Sequence, residues 1–186
     1  MTHWEKDIDE IKTALTMDEA HRLILADLPM ILTPRMFFVN IQKKVEELSG
    51  IDTGRRVYYQ AAFESAYRYT ENSRRVYGIT GSDLLQQYLD SLSARGWGRF
   101  EILELAEEMG VGRVRLTNSV IAEEFGNVGR SVCHAVAGAL AGSIEYLARN
   151  HRPEARVRGT EPLCMSKGDP CCEFVVAPEP TGQAEP

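Results

Sequence analysis

Three of the four cysteines in this 186-residue chain, and two glutamates, fall in one fourteen-residue stretch, "EPLCMSKGDPCCEF", from Glu161 to Phe174. The turn "KGDP" in its middle lets Cys164 and Cys172 face each other across a strand–turn–strand unit. Thiolates bind Zn²⁺ at about 2.3 Å and carboxylates at about 2.0–2.2 Å, with four protein ligands in a structural site. Glu161, Cys164 and Cys172 supply three candidates. The fourth cysteine, Cys133, lies upstream in a glycine-rich helical stretch and can complete the set if that helix packs on the hairpin. Side chains alternate along a strand, so only one of Cys171 and Cys172 belongs to such a site. Glu173 then reads as a solvated strand residue. His134, about 100° round a helix from Cys133, does not share its face, and His151 stands as a reserve ligand.

The alternative is that these cysteines are small buried hydrophobes. Three within nine residues beside an acid favour metal. With 21 basic and 27 acidic residues the net charge is −6, which argues against a nucleic-acid partner. No apolar run reaches the length of a spanning helix. "MTHWEKDIDEIK" is charged where a signal peptide is apolar, so the expected location is cytoplasmic, where clustered cysteines stay reduced.

Hydrophobic periodicity divides the rest. Residues 1–28 read as an amphipathic helical arm, with Trp4, Ile8, Ile11, Leu15, His21 and Leu23–Ile24 at helical spacing and a candidate role in dimerisation. Residues 29–178 form the domain and 179–186 a frayed tail. "LTPRMFFVNIQKKVEELSG" is a helix with Thr33 as N-cap, Pro34 at its first position, Gly50 after its end, and Met36, Phe37, Ile41, Val45 and Leu48 as its buried stripe. A further helix closes at Gly78, and another, capped by Thr80 or Ser82, ends at Gly96. "RFEILEL" and "GRVRLTNSV" make an antiparallel hairpin. The helix around "CHAVAGALAGSIEYLARN" carries Gly138 and Gly142. A helical glycine costs about 1 kcal/mol relative to alanine, so two at i, i+4 imply close approach of a neighbour. "ARVRGTEPLC" and "CCEFVVAP" finish the chain. The expectation is an α+β fold, an antiparallel sheet of about four strands packed against helices.

Cys133, Gly138 and Gly142, then Glu161 and Cys164, then "KGDPCCEF", together resemble the 4-vinyl reductase domain family, also called the hydrocarbon-binding family. The match is firm over about 119–176 and fainter upstream. In the phenol-sensing bacterial activators of that family the corresponding Cys, Glu, Cys and Cys bind zinc. The resemblance therefore implies Zn²⁺ on Cys133, Glu161, Cys164 and Cys172, the last assigned by the eight-residue step between cysteines and by Phe174 two residues on. The helix-to-Glu161 connection is about five residues longer than in those sensors. Gly159 stands where they place an aromatic, so their phenol pocket does not transfer.

The resemblance also implies an apolar cavity between sheet and helices. Candidate lining comes from the aromatics Phe37, Tyr67, Tyr88, Trp97 and Phe100, with Tyr58 and Phe63 also available. Asn118, Glu123 and Glu124 between strand and helix are more simply exposed. The leading function is a stand-alone, sensor-like module that binds a hydrophobic or aromatic small molecule, with a structural zinc and a homodimeric assembly. No glycine-rich dinucleotide loop and no catalytic acid–base pair is visible, which makes an enzyme less expected than an accessory or carrier protein for small-molecule or tetrapyrrole metabolism. An assembly role, from the family's likeness to TRAPP subunits, is the third reading.

Overall fold

A computed structural model of the chain describes Thr13 and residues 15–179. The first described elements are three short strands, β1 (Thr16–Met17), β2 (Leu23–Leu25) and β3 (Leu28–Met30), paired as an antiparallel meander. This replaces the helix expected through Leu15, His21 and Leu23–Ile24; Trp4, Ile8 and Ile11 lie outside the described residues. Two local features decide it. Asp18 Oδ1 accepts from the backbone N–H groups of Ala20 and Arg22 at 3.0 and 2.9 Å, closing a side-chain turn that competes with helix. Ala26 and Asp27 both adopt positive φ, 51° and 59°, the mirror-image turn that suits a two-residue hairpin. A short apolar run such as Leu23–Leu25 fits helix or strand equally, and the turns arbitrate.

Helix α1 (Arg35–Ser49) follows, then α2 (Ile51–Tyr77) and α3 (Gly81–Ala94). Gly50 ends α1, and Gly78, left-handed at φ 69°, ends α2, as their places in the sequence predict. Pro34 rather than Thr33 is the N-cap of α1, and no side chain caps it.

The buried face of α1 is not the expected one. Val39, Gln42 and Glu46 point inward, Val45 is half-buried, and Met36, Phe37, Ile41 and Leu48 face solvent, Leu48 at 83% exposure. The reason is a polar network that apolar counting does not weigh. Gln42 Nε2 donates to Glu46 Oε1 and to the Val132 carbonyl, both at 2.9 Å. Arg130 ion-pairs with Glu46. Buried polar groups with partners are tolerated, and this set ties α1 to the loop before the glycine-rich helix.

The main sheet has the order β4-β5-β7-β6, all antiparallel, from β4 (Arg99–Ala106), β5 (Val111–Thr117), β6 (Val157–Leu163) and β7 (Cys172–Pro178). Val114, Leu116, Phe174 and Val176 point to its buried face. A short helix, α4 (Val120–Phe125), starts at Ser119, whose Oγ accepts from Ala122 N. Helix α5 (His134–Arg149) is buried along most of its length.

The glycines explain how α5 fits. A Cβ on Gly138 would stand 2.1 Å from the Tyr59 carbonyl oxygen, and one on Gly142 2.2 Å from that of Phe63. On the opposite side, a Cβ on Gly159 of β6 would stand 2.3 Å from the Ala137 carbonyl. Helix α5 is thus the middle layer, pressed between α2 and the sheet. The fold is α+β, as its sequence predicts, with the added β1–β3 meander. No helix among the described residues is long and apolar enough to cross a membrane.

Candidate metal centre and ligand cavity

Four elements converge at one end of α5. Cys133 is its N-cap residue. Glu161 lies in β6, Cys164 just after that strand, and Cys172 opens β7. A bulge between Thr160 and Leu163 shifts the β6–β7 register at Glu161 and Pro162. Proline has no N–H to give the ladder, and bulges are where strands absorb it.

The ligand atoms of Cys133, Glu161, Cys164 and Cys172 all lie within 4.8 Å of one another. Cys133 Sγ and Cys172 Sγ are 3.8 Å apart. Two thiolates of a tetrahedral zinc site, at about 2.3 Å from the metal, stand about 3.8 Å apart. All three cysteines are buried and free. Glu161 Oε2 accepts from the Cys133 backbone N–H at 3.0 Å, while Oε1 is buried with no partner. A carboxylate with one oxygen anchored and the other orphaned among thiols is a fitting ligand.

The surrounding backbone holds these groups in place. Cys164 N donates to Asp169 Oδ2 at 2.8 Å, and Met165 N donates to Cys172 Sγ at 3.4 Å. Ser119 Oγ lies 3.3 Å from Cys133 Sγ.

Titration behaviour agrees with a cation site. Burial, then the neighbouring Cys164, push Glu161 up to about 8. Hydrogen bonds from Cys133 and Cys172 hold Cys164 far below the usual thiol range. Hydrogen bonding to Cys164 and Cys172, then burial, push Cys133 well up. Left to themselves, four acidic groups this close keep most of their protons. A divalent cation is the partner that lets them ionise together. The group can hold a metal ion.

Cys171 is half-buried and outside the cluster. Glu173 departs from expectation: it is buried, not solvated, because Arg113 Nε donates to its Oε1 at 2.7 Å. His134 is also outside the cluster; burial, then Arg55, lower it to about 4. His151 contacts Glu107 at 3.4 Å and does not join the set.

A cavity of about 510 Å³ lies on the other side of α5. Ala135, Val136, Ala139 and Leu140 of α5 form one wall, and Tyr58, Ala62, Ala66 and Tyr69 of α2 another. Phe38, Tyr88, Leu92, Trp97 and Phe100 close it, and Leu28, Pro29 and Met30 of the meander cover it. Of the aromatics proposed from sequence, Tyr88, Trp97 and Phe100 line this space.

Phe37 and Tyr67 do not. Phe37 is 56% exposed, and its neighbour Phe38, about 100° round the helix, meets Tyr58 and Trp97 edge-on at 5.7 and 5.0 Å. Tyr67 packs on Tyr146, with Arg149 over its ring. Glu123 and Glu124 are exposed, Glu123 pairing with Arg35. The β3 wall and the polar residues Arg68 and Arg95, which also line the cavity, have no signature in the sequence.

Residues 113–178 match the model of the vinyl-4-reductase domain, and residues 11–103 match that of a domain of unknown function, DUF5943. The chain belongs to the vinyl-4-reductase domain family. The metal-binding group lies wholly within the vinyl-4-reductase segment, whereas the cavity is shared between the two segments. An uncharacterized protein of Methanocaldococcus jannaschii is 30% identical over 98 residues, 53% of this chain and 53% of that one. The chain thus matches about half the length of this curated relative.

Among solved structures, the phenol-responsive sensory domain of the transcription activator PoxR, crystallised with phenol, superposes with a TM-score of 0.77 at 17% identity. The alignment covers 96% of this chain and 91% of that domain. A vinyl-4-reductase family protein from Methanocaldococcus jannaschii superposes at 0.53, also at 17% identity, over 81% and 85% of the two chains. At such identities the likeness is one of fold.

Proposed function

We propose that this member of the family is a small-molecule-binding, sensor-like module whose cavity takes a hydrophobic or aromatic ligand and whose Cys133, Glu161, Cys164 and Cys172 hold a structural Zn²⁺. The observation that carries this reading is the position of α5. Its first residue is preceded by Cys133 of the metal group, and Ala135 and Val136, two and three residues on, already line the cavity. A metal there cross-links the helix to the β6–β7 hairpin and fixes the cavity wall. With four protein ligands it leaves no open position for a substrate, which fits a structural rather than a catalytic role. The cavity volume falls within the range of about 300–1,000 Å³ for ligand sites. The PoxR sensory domain, which bears phenol, lends this support at the level of fold.

Native mass spectrometry with elemental analysis tests it, on the wild type and on Ala139→Trp, which fills the cavity. The expected result is one zinc per chain in both, with 2-naphthol bound by the wild type and not by Ala139→Trp. Metal-free protein, or equal binding by both, would overturn the reading.

A second reading concerns self-association. The solvent-facing apolar residues of α1, Met36, Phe37, Ile41 and Leu48, form a one-sided stripe that a second copy of the chain would cover. Sedimentation of Phe37→Glu checks it: a dimer that dissociates supports the stripe, and an unchanged dimer or a monomeric wild type rejects it.

A further inference from the structure

The charge on the cavity wall has one sign. Arg68 of α2 and Arg95, just past the end of α3, both line it, and no aspartate or glutamate does. Among the described residues neither arginine has an ion-pair partner. Elsewhere in this acidic chain arginines find carboxylates: Arg113 pairs with Glu173, Arg130 with Glu46, Arg149 with Glu145.

Arg95 is nonetheless held in position. Its Nε donates to the Ser91 carbonyl at 3.0 Å, and its guanidinium lies over the Tyr69 ring, 5.6 Å from the centroid. That anchoring uses Nε and one face, and leaves the Nη groups for another acceptor. Arg68 precedes Tyr69 in the chain and is exposed, as are Pro29, Ala61 and Ser65 among the lining residues. These mark the side on which the cavity meets solvent.

Resting on the reading of this cavity as a ligand site, we propose that its ligand is an apolar molecule bearing one carboxylate. The hydrocarbon or aromatic body lies against Tyr88, Trp97 and Ala139, and the carboxylate reaches Arg68 and Arg95. A guanidinium fork matches a carboxylate in shape and charge. An unpaired cation beside an otherwise apolar wall favours an anion over an isosteric neutral molecule, because the neutral one leaves the arginines without a partner.

Calorimetric titration of the full chain at pH 7.5 with two matched pairs tests this: decanoate against 1-decanol, and 2-naphthoate against 2-naphthol. Each acid is expected to bind about tenfold or more tightly than its alcohol, a difference of about 1.4 kcal/mol. Arg68→Gln, at an exposed helical position, should remove most of that preference while leaving the alcohols unchanged. Arg68→Glu should shift preference toward decylammonium. Arg95→Gln, checked for folding by circular dichroism, should act as Arg68→Gln does. If the alcohols bind as tightly as the acids, or both arginine-to-glutamine variants keep the acid preference while folded, the carboxylate assignment falls and the cavity reading stands. If none of the four compounds binds the wild type, the cavity reading falls and takes the assignment with it.

Discussion

Tyr59 and Gly138 meet backbone to backbone: a Cβ on Gly138 would lie 2.1 Å from the Tyr59 carbonyl oxygen. The Tyr59 ring continues past this contact, and its hydroxyl accepts from the Gly159 N–H at 2.8 Å. One residue of α2 therefore spans α5 to reach the sheet.

Gly138→Ala and Gly142→Ala should each destabilise the fold. Helix propensity favours alanine by about 1 kcal/mol, but a methyl group inside 2.2 Å of a backbone oxygen forces two packed helices apart. Overpacking typically costs about 1–3 kcal/mol, occasionally more, so the net change is unfavourable. Urea unfolding gives the sign directly. A neutral or stabilised alanine variant would mean that α2 and α5 separate without cost.

Cys164→Ser and Cys172→Ser should lower the melting temperature and the bound metal together, whereas Cys171→Ser, outside the cluster, should change neither. Stripping a buried charged group of its partner costs about 3–5 kcal/mol. In a chain of this size 3 kcal/mol corresponds to about 6–12 °C. A chelator should bring the wild type down to the level of the serine variants. Differential scanning calorimetry with metal analysis of the same samples reads both quantities. Serine variants that keep full stability would remove the structural role.

Glu46→Ala should cost about 1–3 kcal/mol, the penalty for taking a partner from buried polar groups. Glu46 accepts from Gln42 and pairs with Arg130. The cost stays near that range because Arg130 is 30% exposed and water can replace part of the pair. The urea midpoint should fall without a change in slope. A shift within experimental error would mean that α1 is held by its apolar contacts alone.

Tyr88 should make the fold weaken on the alkaline side. Burial raises its pKa above the ordinary tyrosine value of 10.0. The unfolded chain releases that proton near pH 10 and the folded chain holds it. The contribution is present in full below pH 10 and declines as pH rises beyond it. Chemical denaturation between pH 9 and 11 should show a shallower decline for Tyr88→Phe than for the wild type. Equal slopes would show that Tyr88 ionises as freely in the folded protein as in the unfolded one.

The metal group was readable before any coordinates because its donors are chemically rare and closely spaced. Three lie on one hairpin, and strand alternation leaves room for only one of Cys171 and Cys172. Gly138 and Gly142 likewise announced a close approach, since glycine inside a helix is unfavourable without one. Helix ends at Gly50 and Gly78, and the two long hairpins, followed from local turn and capping chemistry.

What touches what across the fold had to come from the tertiary structure. Periodicity located the apolar side of α1 correctly as a pattern, yet the side that packs is Val39, Gln42 and Glu46, because Val132 and Arg130, some 90 residues away in the chain, supply polar partners there. The same dependence moved Glu173 inward to Arg113 and set Phe38, not Phe37, in the cavity. Residues 16–30 became strands because two left-handed residues and an aspartate turn outweighed a weak helical period. Sequence alone determines chemistry that is local and costly to misplace, such as thiol spacing and helical glycine. Which face of an amphipathic element is buried is a competition among distant partners, and only the assembled fold decides it.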